Sequence, residues 1–171
     1  MIEREPCNLT DVAQGQYEIW RKLMRDRDLR MSLTVDKDEV WVKGDLRRLE
    51  QLFDHLLRNA YSYTLPGGSV EMHVARQNGH VQVYIVDSGV GIDADEIDRV
   101  FERMYRGRSA DAGPTDSSGL GLGLYLAQYI AEAHQGMIVL DSKVDQGTVV
   151  KIELPVLEQE WSQVELVPEE A

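Results

Sequence analysis

The chain has 171 residues, 43% of them hydrophobic, enough to bury the core of one domain. With 30 acidic against 18 basic residues its formal net charge is −12, which argues against nucleic acid or an anionic membrane surface as the main partner. A single cysteine, Cys7, excludes an internal disulfide and any multi-cysteine metal site; no apolar run is long enough to span a bilayer, and the N-terminus lacks a signal-peptide pattern.

The Met1-Ile-Glu-Arg-Glu-Pro6 start reads as a cut edge within a longer protein. Asn8 is placed to cap a helix in which Leu9, Val12, Ala13, Gln16, Ile19, Trp20 and Leu23 recur at helical spacing. Two short strands follow, 31–35 and 40–43, with 36–39 as the turn. Gly44-Asp45 is a break and a cap. From Asp45 to about Tyr63, the residues Leu46, Leu49, Leu52, Phe53, Leu56, Leu57 and Ala60 form the broad apolar face of a core helix, which Leu65-Pro-Gly-Gly68 ends. Val70, Met72 and Val74 alternate with polar residues, and Asn78-Gly79 is a hairpin signal leading into Val81, Val83 and Ile85. Asp93 is placed to cap a helix through about Met104. Residues 107–118 are small and polar and read as a mobile loop. Gly119-Leu-Gly121-Leu-Gly123-Leu124 opens a helix to about Gln135 with Gly136 as its C-cap, and strands 137–142 and 148–154 close the domain. The domain is expected over 1–157. Residues 158–171 read as an acidic tail, with Trp161 able to dock on the body.

An order α-β-β-α-β-β-α-loop-α-β-β needs hairpins, so the sheet is expected to be mixed and largely antiparallel. Helices with single apolar faces then cover one side of it, giving a two-layer α/β (α+β) sandwich.

Three stretches carry chemistry. The strand 81–87 runs into Asp87-Ser-Gly89-Val-Gly91-Ile92, which brings an acceptor-only carboxylate to the mouth of the core and lets the backbone beyond it bend. An amino group, such as the exocyclic amine of adenine, is its natural partner. On the long helix, Asn59 sits at the margin of the apolar face with His55 one turn earlier on the same side; an amide oxygen there suits a hard cation such as Mg²⁺. The third is the run of glycines 119, 121 and 123 at a helix N-terminus, where free N–H groups and the positive dipole end suit a polyphosphate. The polar loop leading into it looks like a lid.

In these stretches the sequence resembles the catalytic, ATP-binding domain of sensor histidine kinases, within the Bergerat-fold superfamily of ATPases and kinases, over roughly residues 8–156. The resemblance runs through Gly44-Asp45, the N box around Asn59-Ala-Tyr-Ser-Tyr63-Thr64, and the first glycine box at 87–92. It continues through the F box Val100-Phe101-Glu-Arg-Met-Tyr105-Arg106, the second glycine box Gly119–Leu124, Ala131-Glu-Ala-His134-Gln-Gly136 and Gly147-Thr148. It implies that Asp87 binds the adenine amine, that Asn59 holds a Mg²⁺ bridging the phosphates, and that Gly89 and Gly91 let the backbone approach the base. It implies that Gly119, Leu120, Gly121, Leu122, Gly123 and Leu124 cradle the phosphates. Tyr63, Ile92, Tyr105, Arg106 and Arg108 are implied as further nucleotide-binding positions, and Asn59 and His55 as the catalytic pair.

Two positions depart from the family's usual pattern: His55 where asparagine is common, and Ser62 where a lysine normally reaches the phosphates. Arg58, Arg106 or Arg108 could replace that cation, and His55 could serve as a base, though a metal-side or water-mediated role is preferred. His73 and His80 are expected to be solvated and His134 structural. The resemblance thus implies an ATP- and Mg²⁺-dependent protein-histidine kinase, donating the γ-phosphate to a histidine on a separate helical dimerisation domain of the same parent protein. A response regulator would act downstream, and the domain itself would be cytoplasmic and monomeric. A serine kinase of the anti-sigma-factor type and a nucleotide-binding pseudokinase are the alternatives on the same fold.

Overall fold

The computed structural model describes residues 4–36, 39–108 and 121–158. The chain opens with a short strand, β1 (Glu5–Asn8), and α1 (Leu9–Asp26). Asn8 caps α1 as expected: its Oδ1 accepts from the backbone N–H groups of Thr10 at 3.0 Å and Asp11 at 3.3 Å. The buried face of α1 is Leu9, Val12, Ala13, Gln16, Trp20 and Met24, while Ile19 and Leu23, read from their spacing as part of it, are exposed. Next come β2 (Arg30–Val35), β3 (Trp41–Gly44) and α2 (Leu46–Tyr63). Asp45 caps α2 by accepting from Arg48 N at 3.2 Å, and Leu49, Leu52, Phe53, Leu56, Leu57 and Ala60 are its buried stripe. The chain ends in β4 (Ser69–Gln77), β5 (His80–Asp87), α3 (Gly123–Ala133), β6 (Met137–Lys143) and β7 (Gly147–Pro155).

Five strands lie side by side in the order β2-β4-β5-β7-β6. β2 runs parallel to β4 and the other neighbours are antiparallel, so the sheet is mixed and largely antiparallel as the element order required. Asn78 and Gly79 both have positive φ (52° and 74°), the turn whose twist suits the β4–β5 hairpin. Val70, Met72 and Val74 of β4, Val81, Val83 and Ile85 of β5, and Val150, Ile152 and Leu154 of β7 are buried in a single core with the helices. The opposite face of the sheet is polar and partly exposed: Gln82 donates to Glu153 at 3.0 Å and Tyr84 to Gln82 at 2.9 Å. This is a two-layer sandwich with its helices on one face. Among the described residues, no helix is long and apolar enough to cross a membrane.

Four expectations are corrected. The strands flanking 36–39 do not form a hairpin. β3 pairs antiparallel with β1, an element composition did not reveal, and Leu9 N donates to Val40 O at 2.8 Å. β2 is thereby left to pair with β4, parallel, across the β3–α2 crossover that such a pairing requires. Cys7 of β1 belongs to the core: it is buried, and its Sγ donates to Gly44 O at 3.2 Å. The helix expected from Asp93 to about Met104 is only a 3₁₀ turn at Ile97–Arg99, because Met104 has φ +62° and the Asp93 carboxylate faces Arg108 instead of capping. α3 starts at Gly123, not at 119, since Gly121 has φ +67°, which no α-helix accepts. At its other end Gln135, not Gly136, takes the left-handed position (φ +62°), and Gly136 N reaches Ala131 O at 2.9 Å. Gly119, Leu120, Trp161, most of the expected lid and nearly all of the expected tail lie outside the described residues.

Candidate functional site

Asp87 ends β5, where Thr148 of β7 is its register partner, and it is only 7% exposed. Its Oδ1 accepts from Gly89 N at 2.8 Å, and Thr148 N is a second donor to the carboxylate. Burial pushes its pKa from the ordinary 3.8 up to about 6, against the pull of these two donors. A further N–H donor, such as an amine, would complete the carboxylate's hydrogen bonding and favour its ionised form.

The turn beyond Asp87 is fixed by the protein's own backbone. A Cβ on Gly89 would stand 2.4 Å from Tyr63 O, and one on Gly91 (φ +72°) 2.0 Å from Lys143 O. Val90 N donates to Tyr63 O at 3.0 Å, Asp145 N to Val90 O at 2.9 Å, and Ile92 N to Ser142 Oγ at 2.9 Å. The first glycine box is thus clamped between the last residue of α2 and the β6–β7 hairpin. That brings Asp87, Gly89, Gly91, Ile92 and Tyr63 together.

One turn back along α2, Asn59 is half-buried, and no described residue hydrogen-bonds its amide. His55 is half-buried beside it; burial holds its pKa below 6.5, with Asp54 pulling it up and Arg58 down. α2 packs against α3 here, and a Cβ on Gly123 would lie 4.0 Å from His55 O. Leu122 precedes α3 without a side-chain cap, so among the described residues no side chain caps the first N–H groups of the helix. Gly121, Leu122, Gly123 and Leu124 therefore border the same region as Asn59 and His55. A half-buried amide oxygen without a partner among the described residues fits a hard cation, and a helix start uncapped by them fits the anion such a cation would accompany.

Tyr105 and Arg108 belong to a strap tied to Glu96, and Arg106 is exposed at its end. Two of the cations named as replacements for the lysine missing at Ser62 are engaged within the domain. Arg58 pairs with Asp54 at 3.2 Å and lies 5.5 Å over the Trp20 ring; Arg108 Nη2 lies 2.6 Å from Asp95. His134 is structural as expected: it is buried, Nδ1 lies 2.7 Å from Ile130 O, and Nε2 accepts from Asp45 N at 3.0 Å. It thus ties the cap of α2 to the end of α3. His80 is exposed, and His73 pairs with Glu71 at 3.2 Å.

Sequence reasoning missed Glu96, Ser142 and the donor role of Thr148. Thr148 was visible only as part of a closing Gly-Thr. Ser142 was read only as the end of a strand and Glu96 only as part of a helix, and nothing in their spacing set them apart.

A family model described as histidine kinase-, DNA gyrase B-, and HSP90-like ATPase matches residues 44–158. The chain is 34% identical over 154 residues to the signal transduction histidine-protein kinase BaeS of Escherichia coli (strain K12), across 90% of this chain and 32% of that protein. It is 31% identical over 153 residues to the sensor histidine kinase RppB of Synechocystis sp. (strain ATCC 27184 / PCC 6803 / Kazusa), across 88% of this chain and 33% of that protein. It therefore spans roughly a third of the length of these curated relatives. The mycobacterial sensor histidine kinase MprB superposes with a TM-score of 0.77 at 28% identity, covering 91% of this chain and 99% of that one. Full-length ShkA in complex with AMPPNP superposes at 0.79 with 20% identity, covering 93% and 32%, a likeness of fold alone.

Proposed function

Because the chain belongs to the family of histidine kinase-, DNA gyrase B- and HSP90-like ATPases, we propose that it is the ATP-binding catalytic domain of a two-component sensor histidine kinase. The observation that carries this reading is Asp87: a buried carboxylate with a raised pKa, clamped where the first glycine box, the end of α2 and the β6–β7 hairpin meet.

In this reading Asp87 accepts from the adenine amine, and the ordered turn 89–92 gives the base a fixed wall. The backbone N–H groups from Gly121 to Leu124 face the phosphates, with Gly119 and Leu120 completing that cradle. Tyr63, Tyr105, Arg106 and Arg108 border the bound nucleotide. Asn59 holds a Mg²⁺ ion through its amide oxygen, and the ion, when bound, neutralises charge on the phosphates. His55 stands on the metal side of the site. It offers no carboxylate to activate water, so the domain is built to position ATP rather than to hydrolyse it. The nucleophile then comes from outside: a neutral histidine on a helical dimerisation domain of the parent protein, which passes the phosphoryl group to a response regulator. The domain is cytoplasmic and monomeric when separated from that partner.

A nucleotide-binding module with weak catalysis is the second reading. It is favoured by Ser62 together with the engagement of Arg58 and Arg108 by the domain's own carboxylates. One experiment separates the two: incubation with Mg²⁺–ATP and the parent's helical domain. Acid-labile, base-stable phosphoprotein that disappears in Asn59→Ala supports the kinase. ATP binding without transfer supports the module, and no adenine-nucleotide binding at all rejects both.

A further inference from the structure

Between the first glycine box and α3, the backbone of residues 93–108 has little regular structure, yet one buried carboxylate organises it. Glu96 is 5% exposed. Its Oε1 accepts from the Tyr105 hydroxyl at 2.7 Å and from Arg108 N at 2.9 Å, and Arg108 Nε lies 3.6 Å away. The Arg108 guanidinium also reaches Asp95 at 2.6 Å and Asp93 at 3.9 Å. The three acids therefore already hold a cation, an arginine of their own chain. The Arg108 N–H, then the Tyr105 hydroxyl, hold the Glu96 carboxyl below the usual carboxylate range, so it stays ionised across neutral pH.

The far side of the same strap rests on the second glycine box. Met104, left-handed at φ +62°, donates its N–H to Gly121 O at 3.0 Å. A Cβ on Gly121 would lie 2.5 Å from Tyr105 O. Arg108 and Gly121, far apart in sequence, are thus anchored to one strap, 104–105, which is set on one side by Glu96 and on the other by the backbone preceding α3. A left-handed methionine that is largely exposed gains nothing from burial; the contacts on either side hold it.

We infer that Glu96 is a positioning residue for triphosphate binding: through Tyr105 and Arg108 it fixes the strap against which Gly121 and the start of α3 are set. Glu96 touches no phosphate in this scheme; it sets the place of the groups that do. The inference rests on the proposed nucleotide site, and it assigns Glu96 to the phosphate half of that site, leaving the adenine half to Asp87.

The test uses the 171-residue chain with Mg²⁺ and two probes, adenosine and a non-hydrolysable ATP analogue, titrated into wild type, Glu96→Ala, Glu96→Gln and Tyr105→Phe. Glu96→Ala is expected to weaken the analogue about tenfold and adenosine less than about twofold. Glu96→Gln should recover most of the loss, because an amide oxygen can accept the same two hydrogen bonds. Tyr105→Phe should weaken the analogue on its own and add nothing in the Glu96→Ala background, since both changes remove the same bond. Equal weakening of both probes would mean general loosening and overturn the inference; so would an unchanged analogue affinity, or Glu96→Gln as damaging as Glu96→Ala. If Glu96→Ala does not fold, Tyr105→Phe, which removes one hydroxyl, decides alone: an unchanged ratio of the two affinities overturns it. A wild-type chain that binds neither probe overturns the nucleotide site itself, an outcome distinct from wild-type binding with unaffected variants.

Discussion

Adenosine should bind this domain more weakly as the pH falls through 6, because the ionised Asp87 is the stronger acceptor for the amine of the base and its pKa in the free domain is about 6. If a donor from the base returns that pKa toward its ordinary 3.8, the apparent affinity falls about tenfold, or ~1.4 kcal/mol, between about pH 7 and about pH 5. Adenosine is the right probe because it carries no phosphate that titrates in this window. Calorimetry at a series of pH values measures the affinity. At about pH 6 it should also show release of roughly half a proton on binding, read from buffers of different ionisation enthalpy. His55 titrates nearby, so His55→Gln must keep the slope while Asp87→Asn loses it. The sign for stability is opposite. Asp87 has its pKa raised above the unfolded value, so its contribution is most favourable below 3.8 and is lost as the pH rises through 6. At neutral pH the buried charge therefore costs the empty domain about 3 kcal/mol. Asp87→Asn should raise the stability of the nucleotide-free domain by about 1–2 kcal/mol while weakening adenosine binding. A flat adenosine affinity across the window in wild type, or an unchanged slope in Asp87→Asn, would refute the reasoning.

Three further outcomes are expected. Asn59→Ala should bind adenosine as wild type does but lose the Mg²⁺-dependent gain in affinity for an ATP analogue; an unchanged Mg²⁺ titration removes Asn59 as the ligand. Gly89→Ala should destabilise the domain by about 1–3 kcal/mol in urea unfolding, since its Cβ would meet Tyr63 O at 2.4 Å and either the turn or the end of α2 must move. Ser62→Lys should tighten the ATP analogue by about tenfold to a hundredfold, the worth of one charge-assisted hydrogen bond, with adenosine unaffected; no gain would mean that this position does not face the phosphates.

Much of the fold was legible because its signals are local. The alternation of Val81, Val83 and Ile85, the stripe on α2, the caps Asn8 and Asp45 and the Asn78-Gly79 turn all depend on neighbours within a few residues. What failed was long-range or needed a contact to decide it. The partner of β2 is β4, beyond a helix, and the partner of β3 is β1, a stretch with no alternation worth reading. The start of α3 could not be placed because the left-handed φ of Gly121 is set by the crowding of the Tyr105 carbonyl. The site divides the same way. Asp87, Asn59 and the glycines were visible as residue types in revealing positions. Glu96 was not, because within Asp93-Ala-Asp-Glu-Ile-Asp98 one acid looks like the others, and only the fold turns it inward while Asp95 stays in water.

The site and the fold use the same contacts, and this limits what any single substitution can report. The carbonyl of Tyr63, the last residue of α2, accepts from Val90 N and so orders the adenine wall; Gly89 packs against that carbonyl and donates to Asp87. A glycine replaced here changes stability and affinity together, and its loss of binding says little about where the ligand lies. Asp87 behaves differently: despite its two backbone donors its charge is on balance unfavourable to the empty fold and favourable to a bound donor, so its removal should move stability and affinity in opposite directions. A group whose removal stabilises a domain while weakening binding is there for the ligand. Opposite signs in the two measurements on Asp87→Asn therefore discriminate a binding site from a packed strand end more sharply than either measurement alone.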